Sequence, residues 1–116
     1  MGIVFIEGTV TGPAGRATLK FLVDSGATYG LLPYDVWRSI RLAPKRPVRF
    51  TLADGTEIER QVSECYIELP QGDGHTPVIL GEPGDEALLG VFTLEMLGLV
   101  INPFTRTLQP MRMMLA

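Results

Sequence analysis

Asp24 is the residue of this sequence best suited to chemistry, because it ends an apolar run and is followed at once by Ser25, Gly26, Ala27 and Thr28. A carboxylate beside a buried strand is costly to desolvate unless hydrogen bonds or a function hold it there. Gly26 permits a tight turn, and the hydroxyls of Ser25 and Thr28 are able to hydrogen-bond the carboxylate. The same pattern is typical of an ordinary Asx turn after a strand, so these residues alone leave both interpretations open.

Two carboxyl groups can hydrolyse a peptide bond when one is ionised and the other is protonated, because like charges about 3 Å apart do not both ionise. The other aspartates, which we predict in a helix, a turn and polar loops, are Asp35, Asp54, Asp73 and Asp85. Asp24 alone follows a strand that we predict to be buried, so a second catalytic carboxylate must come from a second chain. If the protein uses such a carboxylate pair, it is therefore expected to be a C2 homodimer with Asp24 and its symmetry mate at the axis.

The sequence has one cysteine, Cys65, and one histidine, His75. A single cysteine excludes a disulfide within the chain, and the two residues together are too few ligands for an ordinary zinc site. We therefore predict no metal and no cofactor, and a structural role for both residues. A serine nucleophile is set aside, because Ser25 is not in a Gly-x-Ser-x-Gly motif and His75 is the only candidate base.

The segment before Asp24 alternates apolar and polar residues from residue 16 to 23, which predicts a strand that becomes fully buried at Leu22. An N-terminal strand over residues 3–10 would pair with it as a hairpin. Apolar residues at positions 33, 36, 37 and 40 then predict a short amphipathic helix.

A second hairpin is predicted over about residues 48–62. Its tip consists of Ala53, Asp54, Gly55 and Thr56. The Asp-Gly pair predicts a type I′ turn at this tip. The apolar residues change parity near Ser63, which predicts a bulge or a bend, and residues 71–75 are predicted to form a polar loop.

Late in the chain, Leu88, Leu89 and Gly90 end a second apolar run and lead into a helix predicted over residues 92–97. Gly98 suits the position just after that helix, and a buried strand is predicted over residues 99–101. The tail from Met111 is unusually apolar for a chain end, which favours either a dimer interface or a disordered end.

Composition limits the possible classes of protein. The chain has 116 residues with 46% apolar residues, 13 glycines and 9 prolines, which favours a single mainly-β domain over residues 1–116. The net charge of −3 is scattered, with no basic stripe, so no nucleic-acid partner is predicted. We find neither a signal peptide nor an apolar run of about 20 residues, which predicts no membrane segment and a cytoplasmic protein.

The two motifs together resemble those of the retropepsin-like (retroviral-type) aspartic proteases, and more closely their bacterial single-domain relatives. These motifs are the Asp24 segment and the Leu88-Leu89-Gly90 segment with its following helix, and the resemblance extends from about residue 5 to residue 108. It implies a closed retropepsin-like β-barrel with one or two short helices, assembled as a homodimer. It also implies that Asp24 is catalytic and that Leu88, Leu89 and Gly90 support the site.

Further roles follow from the same resemblance. Ser25 would tie the two active-site loops together, Gly26 and Ala27 would let substrate approach, and the hairpin over about 48–62 would be the flap that closes over a peptide or protein substrate. Val91 departs from the viral pattern, which has an arginine there that pairs with an acid near the position of Tyr29. Both halves of this ion pair are missing, so packing is expected to brace the site.

The sequence therefore predicts an aspartic endopeptidase that activates water with an Asp24 pair across a dimer axis. One alternative is a retropepsin-fold module that dimerises or binds peptides with little or no proteolytic activity. Another is an unrelated β-barrel in which Asp-Ser-Gly occurs by coincidence. The complete Asp24 motif favours the enzyme, because a scaffold does not need a desolvated acid at that point.

Overall fold

The computed structural model describes residues 3–115 of the chain. In chain order, the strands and helices are β1 (Phe5–Gly12), β2 (Gly15–Val23), β3 (Gly30–Leu32), α1 (Tyr34–Ser39), β4 (Arg46–Thr51), β5 (Glu57–Leu69), β6 (Gly72–Leu80), β7 (Leu88–Leu89), α2 (Val91–Met96), β8 (Leu99–Asn102) and β9 (Thr107–Pro110). Neither helix of this part of the chain is long and apolar enough to span a membrane.

Six strands close into a barrel in the order β1-β2-β7-β3-β6-β5, because β5 pairs back onto β1. Strand β4 pairs with β5 alone and so extends the barrel wall as a hairpin, while β8 and β9 form a separate two-stranded ribbon. The prediction of a mainly-β closed barrel with one or two short helices is confirmed. The barrel matters for function because it brings β2, β3 and β7 side by side.

The barrel interior is filled by apolar side chains that alternate along the strands with exposed polar ones. The buried core consists of Val4, Val10, Phe21, Val23, Leu32, Ile40, Leu42, Cys65, Ile67, Leu69, Val78, Leu80, Ala87, Leu89, Leu94, Leu99 and Leu108. Helix α2 is fixed to the wall by a buried hydrogen bond of 2.7 Å between the hydroxyls of Thr93 and Thr76. Such a pair satisfies both polar groups without water.

The loop predicted over residues 71–75 is largely a strand. Strand β6 begins at Gly72, which pairs with Leu69, so the turn between β5 and β6 is only two residues long. Asp73 and His75 are exposed on the outer surface of the barrel wall. Polar residues at alternate outward positions are compatible with a strand, and this is why a polar run was misleading as a loop signal.

Of the bulge or bend predicted near Ser63, the bulge is absent, since the register of β5 with β6 is unbroken from Val62 to Leu69. The change in apolar parity has another cause. At Val62, strand β5 passes from its pairing with β4 into the barrel wall, where it pairs with β6. The buried Ser63 hydroxyl donates a hydrogen bond of 2.7 Å to the Ala43 carbonyl, which makes a polar residue acceptable at this inward position.

The tip of the β4–β5 hairpin also differs from the predicted type I′ turn. The Leu52 N–H donates to the Thr56 carbonyl at 2.7 Å, so the loop consists of three residues, Ala53 to Gly55. Gly55 has a φ of +88°, whereas Asp54 does not have the positive φ that a type I′ turn requires at both central residues. This is the three-residue hairpin loop that ends with glycine in a left-handed conformation.

Candidate active site

The loop that carries Asp24 spans residues 24–29, between β2 and β3, and is called the Asp24 loop below. Strand β7 lies between these two strands: it pairs in parallel with β2, through Leu22 with Leu88, and antiparallel with β3, through Leu31 with Leu88. The structure therefore brings together the two motifs that the sequence singled out, although more than 60 residues separate them in the chain (88 − 24 = 64).

Backbone hydrogen bonds join the Asp24 loop to the segment from Leu89 to Phe92. The Asp24 N–H donates to the Leu89 carbonyl at 2.9 Å. In the other direction, the Val91 N–H donates to Ala27 at 2.8 Å, and the Phe92 N–H donates to Thr28 at 3.0 Å. The first N–H groups of a helix have no partner within the helix, so α2 obtains its partners from the loop and fixes the loop in return.

Gly90 allows the closest part of this packing. A Cβ atom at position 90 would lie 2.5 Å from the carbonyl carbon of Tyr29 and 2.9 Å from the carbonyl oxygen of Ala27. Both atoms belong to the backbone and cannot move aside as a flexible side chain would. Glycine is therefore required at position 90 for the loop and β7 to approach each other.

The Asp24 carboxylate is half-buried, and its Oδ1 accepts a hydrogen bond of 2.9 Å from the N–H of Gly26. The sequence suggested that the hydroxyls of Ser25 and Thr28 would hold this carboxylate. Within residues 3–115 neither hydroxyl bonds to it, and both side chains are exposed. The physical reason is the tight turn at Gly26, which presents a backbone N–H to the carboxylate in place of a hydroxyl.

A largely apolar cleft of about 730 Å³ opens beside Asp24 and Ser25. It lies between the start of the chain, α2 and the β8–β9 ribbon. Its other lining residues are Ile3, Val4, Leu22, Val23, Val91, Leu94, Glu95, Leu99, Val100, Ile101, Pro103 and Met111. Leu22 is half-buried in this lining, and the prediction that β2 is fully buried at that point is wrong for the single chain.

The tip of the β4–β5 hairpin lies in solvent. Its residues, which are all exposed and do not line the Asp24 cleft, are Ala53, Asp54, Gly55 and Thr56. Asp54 accepts a hydrogen bond of 2.9 Å from the Thr56 N–H. Hydrogen bonds from the Thr56 hydroxyl and from its N–H lower the pKa of Asp54 below the ordinary value of 3.8. The structure thus separates these four residues from Asp24 within one chain.

Three aromatic side chains near the Asp24 loop were not predicted as a group. The Tyr29 ring lies 6.0 Å from the Phe50 ring of β4 and 5.8 Å from the Phe92 ring of α2, both in edge-to-face contact. The sequence indicated only that the usual ion pair is missing at Val91 and Tyr29. No local pattern links residues 29, 50 and 92, because the fold alone brings them together.

Two other reactive groups do not belong to a site with Asp24. Cys65 is buried in the barrel, and this burial, together with the charge of Glu64, raises the pKa of its thiol to about 12. Such a thiol is not ionised near neutral pH and is inert. His75 is exposed on β6, where its ring contacts Tyr66, and it does not line the Asp24 cleft.

The sequence model of the aspartyl protease family matches residues 6–92, which include the Asp24 loop, the hairpin and Leu88 to Gly90. The chain belongs to the aspartyl protease family. A comparison with curated proteins finds no match. Among solved structures, the chain is similar to the solution structure of the simian foamy virus (mac) protease, with a TM-score of 0.58 and 22% sequence identity over 80% of this chain and 93% of the viral one.

The viral structure establishes the fold of this aspartyl protease family member as retropepsin-like. At 22% identity the likeness concerns the fold alone. The family match ends at Phe92, so the β8–β9 ribbon and the tail lie beyond it. Several residues that line the Asp24 cleft, including Val100 and Met111, belong to this later part of the chain.

Proposed function

We propose that this chain is an aspartic endopeptidase that acts as a homodimer, with Asp24 of each copy forming the catalytic pair. The observation that carries the proposal is the Asp24 carboxylate, which is fixed by the Gly26 N–H at the edge of a large apolar cleft in a member of the aspartyl protease family. An exposed apolar surface beside a fixed carboxylate is unfavourable in a single chain, because water contacts the apolar side chains. It suits a site that is completed by a second protein chain or a ligand.

The chemistry needs a second carboxyl group that shares a proton with Asp24. In the catalytic step, the ionised carboxylate takes a proton from water, the water oxygen attacks the scissile carbonyl carbon, and the protonated carboxyl group gives its proton to the carbonyl oxygen. When the tetrahedral intermediate breaks down, the C–N bond breaks and the amine takes the proton that the first carboxyl group received from water. One hydroxyl of the intermediate returns its proton to the other carboxylate, which restores the starting pair. We assign both carboxyl groups to Asp24 and its symmetry mate.

The apolar lining of the cleft supports a second copy as its occupant. Ile3 is 64% exposed and Val100 is 46% exposed in the single chain, so both would lose water contact in a dimer. The β8–β9 ribbon offers strand edges for pairing, and an isolated two-stranded sheet is only marginally stable in water. We assign the tail, with its exposed Met113, Met114 and Leu115, to the same interface.

Substrate would bind as an extended peptide segment between the Asp24 loops and the two β4–β5 hairpins, which act as flaps. The tip from Ala53 to Thr56 is exposed in the single chain, so it is accessible to a substrate. Ser25 is exposed, so its hydroxyl is available to the partner's loop, as the resemblance implies. Gly26 and Ala27 leave the approach to Asp24 open, because neither carries a large side chain.

The experiment is cleavage of a peptide library from about pH 3 to about pH 7, over a range of protein concentrations, with Asp24→Asn beside the unchanged protein. We expect cleavage to vanish in Asp24→Asn and to rise faster than linearly with concentration. Glu95, the other carboxylate in the lining of the cleft, gives a matched variant. Glu95→Gln should retain cleavage if the second carboxylate is Asp24 of the partner.

Subunit mixing separates the dimer from a single-chain site. Added Asp24→Asn protein should lower the activity of a fixed amount of unchanged protein, because mixed dimers contain one catalytic carboxylate instead of two. A single-chain enzyme would be unaffected by the addition. Cleavage that persists in Asp24→Asn would overturn the proposal. Absence of cleavage by a protein that is dimeric at the assay concentration would favour the peptide-binding module.

A further inference from the structure

Tyr29, the last residue of the Asp24 loop, connects the loop to the β4–β5 hairpin. Its ring packs edge-to-face on Phe50 of β4 at 6.0 Å with an interplanar angle of 72°. On the other side it packs on Phe92 of α2 at 5.8 Å with an angle of 82°. Edge-to-face pairs at such distances are attractive beyond the burial of their apolar area. One side chain therefore joins three elements.

The backbone of Tyr29 is fixed from the side of the loop. Gly90 lies against its carbonyl group so closely that a Cβ atom there would be 2.7 Å from the carbonyl oxygen. The neighbouring Thr28 carbonyl accepts the Phe92 N–H at 3.0 Å. The backbone of Tyr29 is therefore held by the same segment, Leu89 to Phe92, that holds the backbone of Asp24.

The hairpin, by contrast, has few polar or aromatic contacts with the rest of the barrel. Arg46 donates a hydrogen bond to the Tyr29 hydroxyl at a long 3.3 Å. Arg60 of β5 forms ion pairs with Asp85 at 3.1 Å and with Glu82 at 3.5 Å. Strand β4 itself pairs with β5 alone, so its position over the loop depends on side chains.

We propose that Tyr29 is a positioning residue, whose ring holds the β4–β5 hairpin over the Asp24 loop through Phe50. The consequence for activity rests on the proposed function, in which this hairpin is the flap. The contact between Tyr29 and Phe50 would then hold the Asp24 loop in place, as the ion pair at Val91 and near Tyr29 does in the viral pattern. The hydroxyl bond from Arg46 is secondary, because it is long and exposed.

The test is amide hydrogen exchange of β4 in the full chain with Tyr29→Ala, which requires no catalytic activity. Loss of one or two ring contacts should speed exchange of the β4 amides by about three- to tenfold, because local opening becomes easier. Tyr29→Phe keeps the ring and should stay within about twofold of the unchanged protein.

Tyr66→Ala is the matched control. Tyr66 also has an edge-to-face partner, His75 at 5.2 Å, and a hydroxyl hydrogen bond, to Asp73, but it lies in the barrel wall. The variant removes the same atoms as Tyr29→Ala and should leave β4 exchange unchanged. Unchanged β4 exchange in Tyr29→Ala would overturn the proposal. So would an equal increase in Tyr66→Ala, or a Tyr29→Phe variant as fast as Tyr29→Ala.

Kinetics on a cleaved peptide adds a second measurement. Tyr29→Ala should lower kcat/KM by about tenfold, mainly through a higher KM, because a misplaced flap weakens substrate binding. Tyr66→Ala should change kcat/KM by less than about twofold. The two measurements distinguish failure of the positioning role of Tyr29 from failure of the proposed protease activity. Faster β4 exchange without any cleavage supports the positioning role alone, whereas cleavage with unchanged exchange and kinetics supports the protease alone.

Discussion

Two turns of this chain have the same local chemistry and different surroundings. In each turn, the Oδ1 atom of an aspartate accepts a hydrogen bond of 2.9 Å from the N–H two residues later. The donor is Gly26 for Asp24 and Thr56 for Asp54. The backbone of the first turn is hydrogen-bonded to Leu89 of β7 and to the start of α2. The second is exposed on all sides.

The comparison shows that the turn alone does not make a site. An Asx turn fixes a carboxylate relative to its own backbone, and it does so equally well in both places. Only at Asp24 is that backbone in turn fixed to other strands, and only there does an apolar cleft adjoin the carboxylate. We expect substitutions of matched residues in the two turns to have very unequal effects.

The largest difference should be in catalysis. Asp24→Asn should lower kcat/KM by at least about 10³-fold, because in the proposed homodimer it removes the acid–base pair. Asp54→Asn keeps an oxygen that can accept the Thr56 N–H, and it should lower kcat/KM by less than about tenfold. Cleavage of one peptide by both variants, at equal dimer concentration, measures the difference. Equal losses would contradict the distinction between the two turns.

The sequence predicted the Asp24 loop better than the contacts around it. Apolar alternation predicted β2, because this pattern is local. The resemblance to the retropepsin-like proteases implied that Leu88 to Gly90 support the Asp24 loop. The contact of Tyr29 with Phe50 and Phe92 could not be predicted, because it depends on the position of the β4–β5 hairpin relative to the Asp24 loop. Partners so distant in sequence have no local pattern.

Glycine-to-alanine substitutions beside the Asp24 loop and at the hairpin tip should lower the free energy of unfolding by different amounts. Gly90→Ala would put a Cβ atom 2.5 Å from backbone and should lower the free energy of unfolding by about 3 kcal/mol. At Gly55 a Cβ atom would meet nothing within 4 Å, and only the φ of +88° is unfavourable, so Gly55→Ala should cost about 1 kcal/mol. Urea unfolding at one fixed protein concentration compares them, and a larger loss for Gly55→Ala would contradict the packing argument.

Threonine to valine gives a third matched pair. The Thr93 hydroxyl is buried and bonds to Thr76, so Thr93→Val should lower the free energy of unfolding by about 1 kcal/mol, because Thr76 then keeps only a longer bond of 3.3 Å to the Pro77 carbonyl. Thr56→Val at the exposed tip should cost less than about 0.5 kcal/mol. The urea midpoints measure both. Equal midpoints for the two variants would show that the Thr93 bond does not anchor α2.

The hairpin tip shows most clearly where sequence-based prediction fails. Asp-Gly correctly indicated a turn, but the number of loop residues depends on which residues of β4 and β5 pair. Here Leu52 bonds to Thr56, which gives a three-residue loop. The polar start of β6 was missed for a related reason, since Asp73 and His75 are outward-facing only because the barrel provides β5 as a neighbour.

The smallest effect should be the acid titration of the hairpin tip. Bonds from Thr56 lower the pKa of Asp54 below 3.8, so the ionised carboxylate is favoured in the folded chain. Because the pKa is lower in the folded state than in the unfolded state, the ionised carboxylate stabilises the fold at pH above the unfolded pKa. This stabilisation is lost as the pH falls through the folded pKa. The hairpin tip should therefore keep its turn until the pH is below 3.8. It would thus keep the turn at the weakly acidic pH at which a pair of carboxyl groups that share a proton is active.

NMR titration of the Asp54 carboxyl carbon tests this directly. Its pKa should lie below 3.8 in the unchanged protein and should rise in Thr56→Val, because the hydroxyl bond is the largest cause of the shift. The matched variant is Thr28→Val, which removes an exposed hydroxyl from the other turn and should leave the pKa of Asp54 unchanged. An Asp54 that titrates at or above 3.8, or that is unaffected by Thr56→Val, would mean that the tip is not held as a turn in solution.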